Sequence, residues 1–301
     1  MISGDAPGPP GNRLLSPADV RGLLAVHGVR PSRALGQNFL ADPNTARRIV
    51  RLARVEPGDR VLEVGPGVGS LTLALADGVG PGGSVTALEL DRHLVPVLHE
   101  VLAGRPNVRL EQGDALTVDY DKLLVDGTAT MVSNLPYNVA TPLIARLLEG
   151  APGLTRLVVL VQREVAERLA AAPGTRECGA VSVKIAFFSR SQILAVVPPT
   201  VFVPRPRVDS ALVAFDRLPA PPVEVPSPAR LFELARTGFA QRRKMLRQAL
   251  RPLLGPPAAE ILVAAGVDPG ARAEALSLEE WAALARVFGD TPNPGVVGEA
   301  P

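Results

Sequence analysis

Hydrophobic positions along this chain recur with two different periods, and the change of period marks where the chain turns. Behind Asp42-Pro43, the apolar residues Ala46, Ile49, Val50 and Ala53 follow the i, i+3, i+4, i+7 rule, with Arg47, Arg51 and Arg54 on another face. That pattern predicts an amphipathic helix that starts at Pro43. Short apolar runs follow at 60–64, 84–88, 108–111 and 129–133, each ending at a glycine or polar residue. The end markers Gly65, Glu89, Asp114 and Asn134 are 24, 25 and 20 residues apart, the length of a strand, a loop and a returning helix. Runs at 154–161, 192–197 and 208–215 add further strands. The expected fold is α/β: a mostly parallel sheet with helices on both faces.

After Leu218 the texture changes. Pro219, Pro221, Pro222, Pro226 and Pro228 make a stiff linker over 219–228, and only helical patterns remain beyond it. Over 241–252, Leu246, Ala249 and Leu250, with Leu253 just beyond, form one stripe flanked by Arg243, Arg247 and Arg251, which predicts a single basic helix. Ser277 with Glu280 is a capping box, and Trp281 just inside it is the expected core anchor of a small all-helical domain. The predicted organisation is a tail at 1–12, a catalytic domain at 13–218, the linker, a helical domain at 229–290 and a tail at 291–301.

Composition narrows the class. The chain has 301 residues, 47% hydrophobic and 21% charged, enough for about two domains. No apolar run approaches the roughly 20 residues that span a bilayer. The Gly/Pro-rich start lacks a secretion signal, and the single cysteine, Cys178, suits a reducing compartment and an inert buried thiol, so a cytoplasmic protein is expected. No cysteine-based metal cage is possible, and no metal site is expected. The net charge of +2 hides a strong polarity. Eight arginines fall within 12–54 against two aspartates, and five arginines with Lys244 fall within 236–251 against no acid. Those stretches suit a polyanion.

Candidate chemistry begins at Glu63-Val64-Gly65-Pro66-Gly67-Val68-Gly69, where a strand runs into a helix. Glycine there lets the backbone turn and approach a ligand closely. The spacing G-x-G-x-G differs from the nicotinamide fingerprint, which would need glycine where Ser70 stands, and no Gly-Lys-Ser/Thr follows. Glu89, at the end of the next strand, is placed to accept both ribose hydroxyls of an adenosine-containing ligand. Asp114, one strand further, is placed to accept from an adenine exocyclic amine. Together with Gly65 and Gly67 they predict a site for S-adenosyl-L-methionine in a Rossmann-like class I methyltransferase sheet.

Asn134-Leu135-Pro136-Tyr137 ends the fourth strand of that series. An adenine N6 amine is a poor nucleophile because its lone pair is delocalised into the ring. The Asn134 side-chain carbonyl and the Leu135 or Pro136 backbone carbonyl can accept its two hydrogens, localising and aiming the lone pair, while Tyr137 stacks on the base. Phe202 offers a second aromatic face for an extruded base, with Arg205 and Arg207 beside it for phosphates.

These motifs, with Leu35-Gly36-Gln37-Asn38-Phe39-Leu40, Phe202 to Ser210 and Phe239 to Leu246, resemble the ribosomal RNA adenine N6-dimethyltransferases of the kasugamycin-resistance type. The resemblance runs from about residue 30 to 285. It implies that Asn38 and Leu40 lie against the methyl donor with Gly65, Glu89, Asp114 and Asn134. It implies two adjacent adenosines in the 3′-terminal hairpin loop of small-subunit ribosomal RNA as substrate, within a pre-ribosomal small subunit, for a monomeric enzyme. Arg242, Arg243, Lys244, Arg247, Arg251 and the arginine-bearing N-terminal helix would hold the RNA backbone. Leu35 and Cys178 depart from the residues common in such enzymes. Two other readings share part of the pattern: a macrolide-resistance enzyme acting on large-subunit RNA, and a non-catalytic RNA-binding assembly factor.

Overall fold

Valine- and leucine-rich runs separated by one helix's length of chain form parallel strands, because the intervening helix returns the chain to the same edge. The computed structural model describes residues 13–32, 36–124, 127–136 and 139–289; both predicted tails and Tyr137 lie outside them. Nine strands are described: β1 (Phe39–Leu40), β2 (Arg60–Val64), β3 (Ser84–Glu89), β4 (Val108–Gln112), β5 (Ala129–Asn134), β6 (Leu154–Gln162), β7 (Ser189–Val197), β8 (Phe202–Val203) and β9 (Ser210–Arg217). Seven make one sheet in the order β4-β3-β2-β5-β6-β9-β7, and β1 and β8 pair separately. Strands β4 to β6 run parallel through β2, and β9 is antiparallel to β6. The chain steps outward from β2 to β4 and then crosses back to β5. That reversal makes a topological switch point between β2 and β5.

The chain divides into two compact units. The first takes the chain up to Ala166 with Gln192–Arg217. Its helices are α1 (Pro17–Val26), α2 (Pro43–Ala53), α3 (Ser70–Val79), α4 (Val95–Val101), α5 (Tyr120–Leu123) and α6 (Ala140–Gly150). Asp42 caps α2, its carboxylate accepting from Thr45 N at 2.8 Å, and Ala46, Ile49, Val50 and Ala53 are its buried residues. The 3.6-residue reading of that helix was thus sufficient to orient it.

The second unit takes Glu167–Ser191 and the chain from Leu218. The sequence reading put 167–191 with the catalytic domain. Packing decides otherwise: Cys178, Val183 and Phe187 belong to the same buried cluster as Leu231, Phe232, Leu246 and Trp281. Phe187 meets Phe232 edge to face at 5.5 Å. The helices after α6 are α7 (Arg163–Ala170), α8 (Ala180–Phe188), α9 (Pro228–Ala240), α10 (Leu246–Ala249), α11 (Arg251–Leu254), α12 (Ala258–Ala264) and α13 (Leu278–Gly289). Trp281 is fully buried, and Gly238 of α9 sits so close that a Cβ there would lie 2.9 Å from its ring. Ser277 and Glu280 make the expected reciprocal cap. Burial pushes the Cys178 thiol up to about 11, consistent with an unreactive side chain.

The single basic helix predicted over 241–252 is two short helices preceded by a turn. Lys244 N bonds Gln241 O in a turn before α10, and Pro252, which has no N–H to extend α10, sits in the first turn of α11. Arg243 therefore lies in the turn, Arg247 on α10 and Arg251 on α11.

Candidate active site

The β2–β5 ladder runs through Leu62↔Met131 and then stops. Beyond it, Val64 N is satisfied by the Ser133 hydroxyl at 2.9 Å, so the strand ends part at the switch point. The glycine loop leaves β2 on one side of this crevice, and 134–136 leave β5 on the other. Gly65 and Gly67 have φ of +69° and +63°, a conformation costly for other residues. A Cβ at Gly65 would meet Pro136 Cδ at 3.8 Å, and one at Gly67 would strike the Phe39 ring at 2.7 Å. The loop after β5 thus faces the glycine loop. Between them lies a cavity of about 220 Å³ whose lining includes Asn38, Leu40, Gly65, Gly67, Glu89, Asp114, Asn134, Leu135 and Pro136. A wider groove of about 700 Å³ opens at the opposite, amino ends of the parallel strands, but carries none of these residues.

Glu89 is only 5% exposed. Its Oε1 accepts from Asp91 N at 2.8 Å and its Oε2 from Gly67 N at 3.1 Å, leaving a second lone pair on each oxygen. Burial raises its pKa, and those backbone bonds oppose the shift. Asp114 is half-buried, with Oδ1 accepting from Leu116 N at 2.8 Å. Sequence reasoning missed Glu63. It sits within the apolar run of β2, is 1% exposed, lines the cavity and leaves Oε2 without a hydrogen-bond partner among the described residues. Burial, with the charge of Glu89 nearby, pushes its carboxyl up to about 8. The signal was available, since an acid inside a buried strand demands a reason.

On the opposite wall, Asn134 Nδ2 donates to Asn38 O at 3.0 Å. That bond fixes the carboxamide and leaves Oδ1 as its acceptor. Leu135 N bonds Leu160 O at 3.1 Å. Pro136 O already accepts from Val139 N and Ala140 N as α6 begins, which takes both its lone pairs and removes it from the pair of alternatives. Phe202 requires a correction. It is 3% exposed, belongs to the core of the first unit and is absent from the cavity lining. Pairing of β8 with β1, Leu40 opposite Phe202, turns its ring inward, so it offers no face to a base in this conformation. Arg205 and Arg207 are exposed. In the second unit Arg243, Lys244, Arg247 and Arg251 are exposed, while Arg242 pairs with Glu274 at 2.8 Å and donates to Arg176 O. Among the described residues no group of three or more His, Cys, Asp or Glu could hold a metal.

A mostly parallel sheet with a glycine cradle, two strand-end acids and a crevice at its switch point is the arrangement of a class I S-adenosylmethionine-dependent methyltransferase. The profile of the ribosomal RNA adenine dimethylase family matches residues 29–290, and the chain belongs to that family. It is 47% identical to the ribosomal RNA small subunit methyltransferase A of Thermobifida fusca over 280 residues, 91% of this chain and 96% of that one. The protein of that name from Streptomyces coelicolor is 45% identical over 284 residues, 92% and 98% of the two chains. Among solved structures, the 23S ribosomal RNA methyltransferase ErmE superposes with a TM-score of 0.64 at 28% identity, over 84% of this chain and all of that one. A dimethyladenosine transferase from Plasmodium falciparum shares the fold, with a TM-score of 0.69 at 22% identity over 83% and 97%.

Proposed function

We propose that this enzyme dimethylates N6 of two adjacent adenosines in the 3′-terminal hairpin loop of small-subunit ribosomal RNA, within a pre-ribosomal small subunit. The observation that carries the reading is the Asn134 carboxamide, held by Asn38 O on the wall facing the glycine loop. The cradle that a Cβ would fill at Gly65 and Gly67, and the lone pairs left on Glu89, fit S-adenosylmethionine. When bound, that group supplies an electrophilic sulfonium methyl.

The residues of the chain do the rest. Glu89 accepts the ribose hydroxyls, Asp114 accepts from the donor's adenine amine, and Asn38 and Leu40 close over the donor. Asn134 Oδ1 and Leu135 O accept the two hydrogens of the target N6, which localises its lone pair and aims it across the crevice. Tyr137 stacks on the base. No side chain needs to act as a strong base, because the nitrogen becomes acidic once methylated and loses its proton to water.

Arg205, Arg207 and the basic residues 242–244, 247 and 251 hold RNA phosphates, the helical second unit, made of Glu167–Ser191 and the chain from Leu218, acting as the RNA-binding part. Replacing Arg243 and Arg247 together by alanine should weaken RNA binding roughly tenfold and reduce the slope of log affinity against log salt by about two, with donor affinity unchanged. Affinity measured across a salt series checks this; an unchanged slope removes that turn and helix from the interface. The small-subunit assignment is supported by relatives near 47% identity over most of their length. It is tested by primer extension on both ribosomal RNAs after incubation with enzyme and donor. Stops confined to the adjacent adenosines of the small-subunit RNA are expected, and stops on large-subunit RNA alone would replace the reading with the macrolide-resistance one.

A further inference from the structure

Residues 36–40 approach the crevice from outside the seven-stranded sheet, and side-chain bonds tie them to both of its walls. Gln37 Oε1 accepts from Ser32 N at 2.8 Å, and its Nε2 donates to Asp91 Oδ2 at 2.8 Å. Asp91 in turn donates its backbone N–H to Glu89 Oε1 at 2.8 Å, while its Oδ1 accepts from His93 N at 3.0 Å. One residue beyond Gln37, the carbonyl of Asn38 receives the Asn134 amide. Gln37 and Asp91 are both half-buried at the cavity wall, where a hydrogen bond is less diluted by water than on an open surface.

We propose that Gln37 is a positioning residue for methyl transfer, its bond to Asp91 setting where the donor-side acid Glu89 and the acceptor-side amide Asn134 stand relative to each other. The proposal rests on the roles given above to Glu89 and Asn134. Only a carboxamide of this length serves the position. It must accept from Ser32 N and donate to Asp91 Oδ2 at once; a glutamate carboxylate cannot donate there, and an asparagine is one methylene short. Without the bond, Asp91 loses the partner that steadies its turn against Glu89. The segment that carries Asn38 O also loses one of the bonds that hold it beside Asn134.

The decisive experiment exploits the direction of that bond. Gln37→Glu sets two carboxylates against each other. Donor affinity, read by equilibrium dialysis with labelled S-adenosylmethionine, should fall about tenfold, and the single-turnover rate at saturating donor about tenfold as well. Combining Gln37→Glu with Asp91→Asn reverses donor and acceptor: the introduced amide donates to the introduced carboxylate, and the bonds from Ser32 N and His93 N are retained. Both quantities should return to within about threefold of the parent enzyme, which a general loss of packing would not allow. Parental behaviour of Gln37→Glu, or a double variant no better than the single, overturns the proposal. Glu89→Ala serves as the control. If it loses donor binding while Gln37→Glu does not, this proposal alone fails; if it binds donor normally, the assigned role of Glu89 fails and takes the proposal with it.

Discussion

Alanine in place of Asn134 should lower the single-turnover rate of methyl transfer by at least about 100-fold while leaving RNA affinity unchanged. The size follows from what is removed: a preorganised polar group aimed at the reacting centre, a class of contact that contributes about 10² to 10³ in rate. The backbone of Asn134 pairs with Leu160 whatever its side chain, so β5 survives the substitution. Asn134→Asp should fail as well. An ionised carboxylate in that position cannot donate to Asn38 O, so the pinning bond is exchanged for a repulsion. Transfer of tritiated methyl to ribosomal RNA, paired with an RNA gel shift, reads both quantities. Full activity in Asn134→Ala would remove the residue from the mechanism.

Glu63→Gln should stabilise the protein increasingly as pH rises above about 4.5, with most of the gain present by neutral pH. In the unfolded chain this carboxyl ionises near 4.5, and in the folded protein near 8. Below 4.5 both states hold the proton and the group contributes no pH dependence. Between those values the unfolded state releases the proton more readily, so stability falls as pH rises, and above 8 the full cost of a buried charge is present. That cost is on the order of 4 kcal/mol for a fully buried group shifted this far. Denaturant unfolding of both proteins at pH 5 and pH 8.5 measures it. The variant should have little advantage at the lower pH and several kcal/mol at the higher. An equal difference at both would mean that Glu63 does not titrate as its burial dictates.

The parts of the fold that could be read from sequence are those governed by local periodicity. The α2 stripe, the strands β2 to β6 and the glycine loop all announce themselves within a dozen residues. So do Glu89, Asp114 and Asn134, because a parallel sheet puts strand ends on one rim and the end of a strand is a local property. What escaped was decided by distant partners. Strands of two residues, β1 and β8, have no period to detect, and their pairing buries a phenylalanine that looked free for stacking. Pro136 seemed equivalent to Leu135 until the start of α6 used its carbonyl. The break between α10 and α11 was foreshadowed by Pro252, but an unbroken apolar stripe outweighed it. The transfer of Glu167–Ser191 to the second unit depends on Phe187 meeting Phe232, a contact no window of sequence contains.

The pairing of Phe39–Leu40 with Phe202–Val203 sets a timetable for synthesis. A growing chain makes its glycine loop, both strand-end acids and the Asn134 loop early. Strand β1 then has no partner strand until translation reaches Phe202. Strand β7 waits too, since its neighbour in the sheet is β9, which is made after it and sits between it and β6. A nascent chain stalled before that point would carry the glycine loop, both strand-end acids and Asn134 without the β1–β8 pairing beside them, and the cavity would gain its last wall in one late step.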